Sequence, residues 1–418
     1  MDSEDVPPYS PQMTTERWPA LPLAEWRDTY ATLQRWLQIV GKTRLALTPL
    51  INHWWNTTLY LTPRGMTTST IYTDKLALEV EVDFIDHALE VRTSERQSAR
   101  IHLAPKSVAT FYREYLDAFK SVGIDLVIYP VPVEVEDVTP FPEDEKHASY
   151  DPEYANRVWR ILLGSMRVFS DFRSRFVGKT SPAHFFWGGF DLALTRFSGR
   201  PGPTFSGPVM NVPVWVMREG YNQEMVSAGF WPGGLYGVDE PVYYAYAYPE
   251  PAGFSEATVE PEAARYHTEM REFILPYEAV RTSAFPETTL LQFLQTTYEA
   301  GASAGGWDRA ALEREPVEAE EPRDATPELN ITQKPERSRF EAEIEGRIAF
   351  VEYRRRHNTI WLAHTEVPPP LEGRGIGSAL AKHALDYARK EGLEVVPSCP
   401  FIAAYIRSHP SYADLVKR

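Results

Sequence analysis

The chain has 418 residues, 43% of them apolar, and a formal net charge of −15. That length exceeds one ordinary domain and leads to an expectation of two or three, each with enough apolar residues for a core. The acidic balance argues against a general nucleic-acid binder, which needs a basic face for phosphates, and suits a cationic partner such as an amine. The single cysteine, Cys399, excludes an intramolecular disulfide framework and fits a reducing cytoplasm. No apolar run is long enough to span a bilayer, so no membrane partner is expected. The opening MDSEDVPPYSPQ is polar and acidic rather than a signal peptide.

Residues 1–17 read as a disordered leader. A large α+β domain is expected over 18–309. Its helices are predicted at 23–40, 105–122, 151–176 and 288–300. The second carries Val108, Tyr112, Tyr115 and Phe119 on one face, and the third carries Val158, Leu162, Phe169, Phe172 and Phe176. Strands are predicted at 57–62, 76–84, 88–93, 126–135, 185–197 and 242–248. Strands in clusters with helices between them imply a mostly antiparallel sheet. His53, His147, Asp151, His184 and Asp191 stand in aromatic-rich segments, but without metal-binding spacing. A packed aromatic core, or a pocket for a small ligand, is the expectation there.

Several short motifs of this region stand out: Asn52-His53-Trp54-Trp55-Asn56, His147-Ala148-Ser149-Tyr150-Asp151-Pro152, His184-Phe185-Phe186-Trp187-Gly188, Thr195-Arg196-Phe197-Ser198-Gly199-Arg200 and Gly229-Phe230-Trp231-Pro232-Gly233. With them the region resembles a bacterial family known only as domain of unknown function 5996. That resemblance implies a fold and no chemistry.

Residues 310–329 are acidic, carry Pro316, Pro322 and Pro327, and lack aromatics. Such a composition cannot bury enough surface to order itself and reads as a linker. A small α/β domain then follows at 330–418. Strands are predicted at 340–345, 347–354 and 359–365, with turns at Gly346 and His357-Asn358. A helix at 375–391, a strand at 393–396 and a short helix at 400–408 complete it. Residues 371–378 read LEGRGIGS. A glycine-rich turn that opens a helix presents bare N–H groups and a favourable dipole to a phosphate. The spacing is not that of a P-loop. Cys399 follows a strand and precedes Pro400 and a helix, a position that lowers a thiol's pKa. Strand alternation puts His364 and Glu366 on one face, with Thr365 on the other, so both are candidates for general base or amine positioning.

Glu372-Gly373-Arg374-Gly375-Ile376-Gly377 is close to the pyrophosphate loop of GCN5-related N-acetyltransferases, with Glu372 where that loop has Arg or Gln. Together with His364-Thr365-Glu366-Val367-Pro368, Cys399-Pro400-Phe401, Tyr405-Ile406 and His409-Pro410-Ser411-Tyr412, it resembles the small YjdJ-type branch of that superfamily. The resemblance implies acetyl-CoA as co-substrate, with Gly373, Arg374, Gly375, Ile376 and Gly377 around its pyrophosphate. It also implies Cys399 beside the acetyl group, in an acetyl-cysteine intermediate, and Tyr405 as a donor to the departing thiolate. The expected function is transfer of an acetyl group to an amine on a small molecule or protein. The alternative is a non-catalytic acyl-CoA-binding or regulatory module attached to a ligand-binding domain.

Overall fold

The structure is a computed structural model that describes residues 16–207, 209–314, 329–371 and 375–417. Most of the expected leader and linker lies outside those residues, as do Gly373 and Arg374. The chain divides into two compact units, Met1–Glu315 and Pro316–Arg418, each with its own apolar core. Both are α+β. Among the described residues no helix is long and apolar enough to cross a membrane.

The large unit is built around helix α1 (Leu23–Leu47), buried on every side from 32 to 43. Polar side chains in such a helix need fixed partners. Gln34 Nε2 donates to the Gly188 carbonyl at 2.7 Å. Gln38 donates to the Val133 carbonyl at 2.8 Å and accepts from the Val133 N–H at 2.9 Å. The helix continues beyond the expected end at 40. Gly41 lies inside it, bare because the Trp187 indole occupies the place where a Cβ would stand, 2.1 Å away.

The first sheet holds β1 (Tyr60–Leu61), β2 (Gly65–Thr67), β3 (Ile71–Tyr72), β4 (Ala77–Asp83), β5 (Ala88–Thr93) and β6 (Ser98–His102). All pairs are antiparallel, in the order β1-β2-β4-β5-β6, with β3 beside β4. α2 (Val108–Ser121) starts where Ser107 accepts from the Thr110 N–H. α3 (Pro152–Ser174) starts at Asp151, whose carboxylate accepts from Glu153 and Tyr154. Its buried stripe includes Val158, Leu162, Phe169 and Phe172, as the periodicity predicts. The strand predicted at 126–135 does not form. Pro130 and Pro132 remove ladder donors, and α1 supplies through Gln38 the pairing that a neighbouring strand would give to Val133.

The second sheet runs β11-β12-β10-β9-β8-β7, from β7 (His184–Phe186), β8 (Asp191–Pro201), β9 (Gln223–Trp231), β10 (Val242–Tyr248), β11 (Arg265–His267) and β12 (Glu272–Pro276). The single strand expected at 185–197 is thus a hairpin, turning through Trp187-Gly188-Gly189-Phe190. Alternation sorts this sheet's side chains into two environments. Leu194, Ala228, Ala245 and Phe273 join the main core. Asp191, Thr195, Ser227, Tyr246 and Glu272 line a cavity. Helices α4 (Val214–Gly220), α5 (Tyr277–Arg281), α6 (Pro286–Ala304) and α7 (Arg309–Leu312) complete the unit. Residues 310–314, expected to open the linker, belong here. The Leu312 carbonyl accepts from Val177 and Gly178, and Glu313 accepts from Arg309 and Tyr298.

In the small unit β13 (Thr332–Lys334), β14 (Arg339–Ile344), β15 (Arg347–Arg356) and β16 (Thr359–Glu366) form an antiparallel run. The turns fall where expected, with positive φ at Gly346 (74°) and His357 (52°). α8 (Ile376–Lys390) carries the chain back so that β17 (Glu394–Val396) lies parallel to β16. Its Leu380, Ala384 and Ala388 are fully buried. α9 (Pro400–Ser408) follows.

Candidate functional site

β16 and β17 pair over only three positions, 359–361 with 394–396. One further link, from the Cys399 N–H to the Leu362 carbonyl at 2.9 Å, fixes the cysteine before the chain turns into α9. On its other side β16 carries a bulge: Glu352 faces His364 and Tyr353 faces Leu362, so Ala363 is extra. Beyond the bulge Thr365 turns toward the cysteine, with its Oγ1 3.5 Å from Cys399 Sγ.

Cys399 is 4% exposed and holds the position immediately before α9, at its N-terminus. Burial alone raises its thiol pKa. Hydrogen bonds from the Thr365 hydroxyl and from the N–H groups of Ile402, Phe401 and Thr365 outweigh burial and hold the thiol below its ordinary value. The N-terminus of α8 lies alongside. Gly375 precedes it with φ 73°, a left-handed conformation that glycine adopts without penalty. Gly377, in its first turn, faces the Phe401 ring, which lies 3.0 Å from where a Gly377 Cβ would stand. Two helix N-termini are thereby joined through one aromatic contact. Phe401 itself remains 43% exposed.

The other residues singled out in the sequence are placed differently. His364 and Glu366 are exposed and 3.6 Å apart, on the face of β16 away from Thr365 and Cys399. Tyr405 lies one helical turn beyond Phe401 and stacks on His409 at 3.9 Å between centroids. Burial raises its hydroxyl pKa. Ile376 sends its side chain into the core, which leaves its backbone as its only means of meeting a ligand. Sequence reasoning did not single out Thr365 as the partner of Cys399, nor Phe401. Strand alternation separates Thr365 from His364 and Glu366, but the bulge at Ala363, which the sequence did not reveal, decides which of them meets the thiol.

In the large unit the polar residues of the motifs serve separate ends. Asp151 caps α3, and His147 Nδ1 lies 2.8 Å from Asp144. His184 Nδ1 meets the Thr58 hydroxyl at 2.9 Å, and burial pushes its pKa down to about 3. His53 Nδ1 meets the Gly220 carbonyl at 3.0 Å, and its Nε2 meets Lys179 Nζ at 2.9 Å. Among the described residues no three His, Cys, Asp or Glu are grouped to hold a metal ion.

A hairpin sheet, a glycine that opens a helix, and a parallel strand leading to a cysteine at a second helix start define the small unit as an acetyltransferase-type domain. Residues 339–415 match the GCN5-related N-acetyl-transferase model. Residues 18–314 match the family of unknown function DUF5996. That match covers most of the chain, and the protein belongs to this family. Among curated proteins, Protein NATD1 of Xenopus tropicalis is 42% identical over 52 residues, 12% of this chain and 48% of that protein. Protein NATD1 of Homo sapiens is 45% identical over 49 residues, 12% and 43% of the respective chains. That of Danio rerio is 37% identical over 60 residues, 14% and 54%. The chain spans about half the length of the curated relatives it matches.

Proposed function

We propose that the small domain transfers the acetyl group of acetyl-CoA to an amine, with Cys399 as the group that receives it first. The observation that carries this reading is the Cys399 thiol at the start of α9, where the Thr365 hydroxyl and backbone N–H groups favour its thiolate. The start of α8 lies alongside, through the contact of Gly377 with Phe401. The N–H groups of Gly375, Ile376 and Gly377 at the start of α8 suit a pyrophosphate. Gly373 and Arg374, just before them in sequence, extend that assignment. The exposed Phe401 ring offers the thioester arm an apolar wall between the two helix starts.

The thiolate attacks the thioester carbonyl carbon. A new carbon–sulfur bond forms, the bond to the CoA sulfur breaks, and the released CoA thiolate takes up a proton. The amine then attacks the acetyl-cysteine, an amide forms, the thiolate returns, and the amine gives up a proton. Helix-start N–H groups lower the energy of the thiolate in both steps. Tyr405 is assigned to proton donation toward the departing CoA thiolate. His364 and Glu366, on the opposite strand face, are assigned to drawing in the amine rather than to the acyl carbon.

The test is intact-protein mass spectrometry after incubation with acetyl-CoA. One acetyl increment is expected on the wild type, mapping to Cys399, and none at that site in Cys399→Ala. Turnover by Cys399→Ala at the wild-type rate with a true acceptor would remove the covalent step. No consumption of acetyl-CoA across a panel of amines would remove the transferase reading.

A further inference from the structure

The cavity on the second sheet of the large domain, about 1150 Å³, is slightly larger than an ordinary small-molecule site. Its floor follows from the alternation of β8, β9, β10 and β12, and five acidic residues line it: Glu136 and Asp137, and the three carboxyls of Asp191 from β8, Glu272 from β12 and Glu134 from the segment after Pro132. A bare backbone lets two of them, Asp191 and Glu134, approach each other. A Cβ on Gly189 would stand 3.0 Å from Asp191 Oδ1 and 3.2 Å from Glu134 Oε2, so these oxygens are at most about 6 Å apart. A Cβ on Gly229 would stand 2.5 Å from the Tyr244 hydroxyl. The tyrosine therefore lies across this strand position and donates to Asp191 Oδ2 at 2.5 Å. Glu134 itself has φ 54°, an uncommon conformation for such a side chain.

The carboxyls of Asp191, Glu272 and Glu134 have no counter-charge among the described residues. Three of the four lysines and arginines that line the cavity are committed elsewhere: Arg27 to Asp239 at 3.1 Å, Arg35 to Asp144 at 3.2 Å and Lys146 to Asp137 at 2.8 Å. All three acidic residues are half-buried and line the cavity, and a charge so placed is costly when left uncompensated, though less so than a fully buried ion. Burial, together with repulsion from Asp191, pushes Glu134 up to about 7 and Glu272 up to about 8, and burial pushes Asp191 up to about 6. The titratable groups that face them are the phenols of Tyr30, Tyr221, Tyr236, Tyr244 and Tyr246. Burial raises all five, and all stay neutral.

An independent observation points to a ligand. Lys42 lines the same cavity, is 3% exposed, and makes no hydrogen bond or ion pair among the described residues. Its ammonium lies only over the rings of Tyr129, Trp187 and Phe141, at 5.3, 5.7 and 5.8 Å. Burial pushes its pKa down to about 8. The cavity thus holds an ammonium and carboxyl groups without ion-pair partners among the described residues, between aromatic walls.

We propose that this cavity binds a small organic molecule with an apolar body, an ammonium group held among Asp191, Glu134 and Glu272, and an anionic group directed to Lys42. A cation is attracted to such aromatic faces as well as to carboxylates. The proposal is independent of the acetyltransferase reading.

The experiment is calorimetric titration of the full chain at pH 7.5 with four probes of similar size: 4-(aminomethyl)benzoate, benzylammonium, benzyl alcohol and benzoate. The zwitterion should bind tightest, and benzylammonium at least tenfold tighter than benzyl alcohol. In Asp191→Asn and Glu272→Gln, both ammonium probes should weaken at least tenfold. In Lys42→Met the zwitterion should weaken to the affinity of benzylammonium, which itself stays unchanged. These substitutions remove buried charge and should preserve the fold, checked by melting. The wild-type comparison of cation with neutral probe stands without any variant. Equal binding of benzylammonium and benzyl alcohol, no binding of any probe at millimolar concentration, or amide variants that bind as wild type would each overturn the proposal.

Discussion

Glu272→Gln should stabilise the large domain at alkaline pH and leave it unchanged in mild acid. The folded protein raises this carboxyl from 4.5 to about 8, through burial and repulsion from Asp191. Between those values the folded state holds a proton that the unfolded chain has released. The associated stability is therefore fully present below about pH 4.5 and is lost as pH rises to about 8. A shift of that size in an isolated group corresponds to about 5 kcal/mol. Glu272 shares its repulsion with Asp191 and meets the water of an open cavity, which reduces the expected difference to about 2 kcal/mol. The amide keeps the shape of the side chain and cannot ionise. By thermal unfolding, the variant should melt with the wild type at pH 5 and about 4 °C above it at pH 8.5. A difference that does not change with pH, or a variant less stable than wild type at pH 8.5, would refute the argument that Glu272 is an uncompensated buried acid.

Thr365→Val should raise the Cys399 pKa, because the hydroxyl that favours the thiolate is lost; the midpoint of the pH profile for alkylation should move upward, and an unchanged midpoint would discount this contact. Gly375→Ala should cost the small domain about 1 kcal/mol, the penalty of φ 73° for a side chain, read as a lower melting transition of that domain alone. Arg196 is 1% exposed, with its guanidinium 3.5 Å from the Phe172 ring centroid and 4.2 Å from that of Tyr298. Arg196→Ala should destabilise the large domain by about 3 kcal/mol through the cavity it leaves, with Arg196→Met recovering most of the loss by urea unfolding. Limited proteolysis should cut first within the acid- and proline-rich sequence 315–328 and release a small domain whose melting temperature alone rises with CoA; intact chain after digestion would count against separable domains.

Much of the local structure was legible in the residues. β5 and β10 form at the predicted bounds 88–93 and 242–248, and α9 forms at 400–408. Period two, period 3.6 and a proline at a helix start are short-range properties that neighbouring residues enforce on each other. The same holds for Cys399, whose place between a strand and a helix start is written in adjacent residues. What sequence left open is which segments meet. Glu134, Asp191 and Glu272 come from three separate stretches, and only the folding of the second sheet brings them into one cavity. Nothing in the neighbouring residues says why positions 41, 189 and 229 are glycine. In the fold the Trp187 indole fills the Cβ place of Gly41, the Leu192 backbone and Tyr244 ring fill that of Gly229, and Asp191 and Glu134 crowd that of Gly189. The predicted strand at 126–135 failed for the same reason: its apolar alternation is real, but its prolines and the reach of Gln38 from α1 made a loop the better partner. Likewise the small domain's sequence supplied His364, Thr365 and Glu366 together. Only the bulge at Ala363 and the anchoring of Cys399 on Leu362 decided that Thr365 meets the thiol. Local propensity is set by contacts a few residues apart, whereas a site is set by distances across the fold, which no single segment encodes.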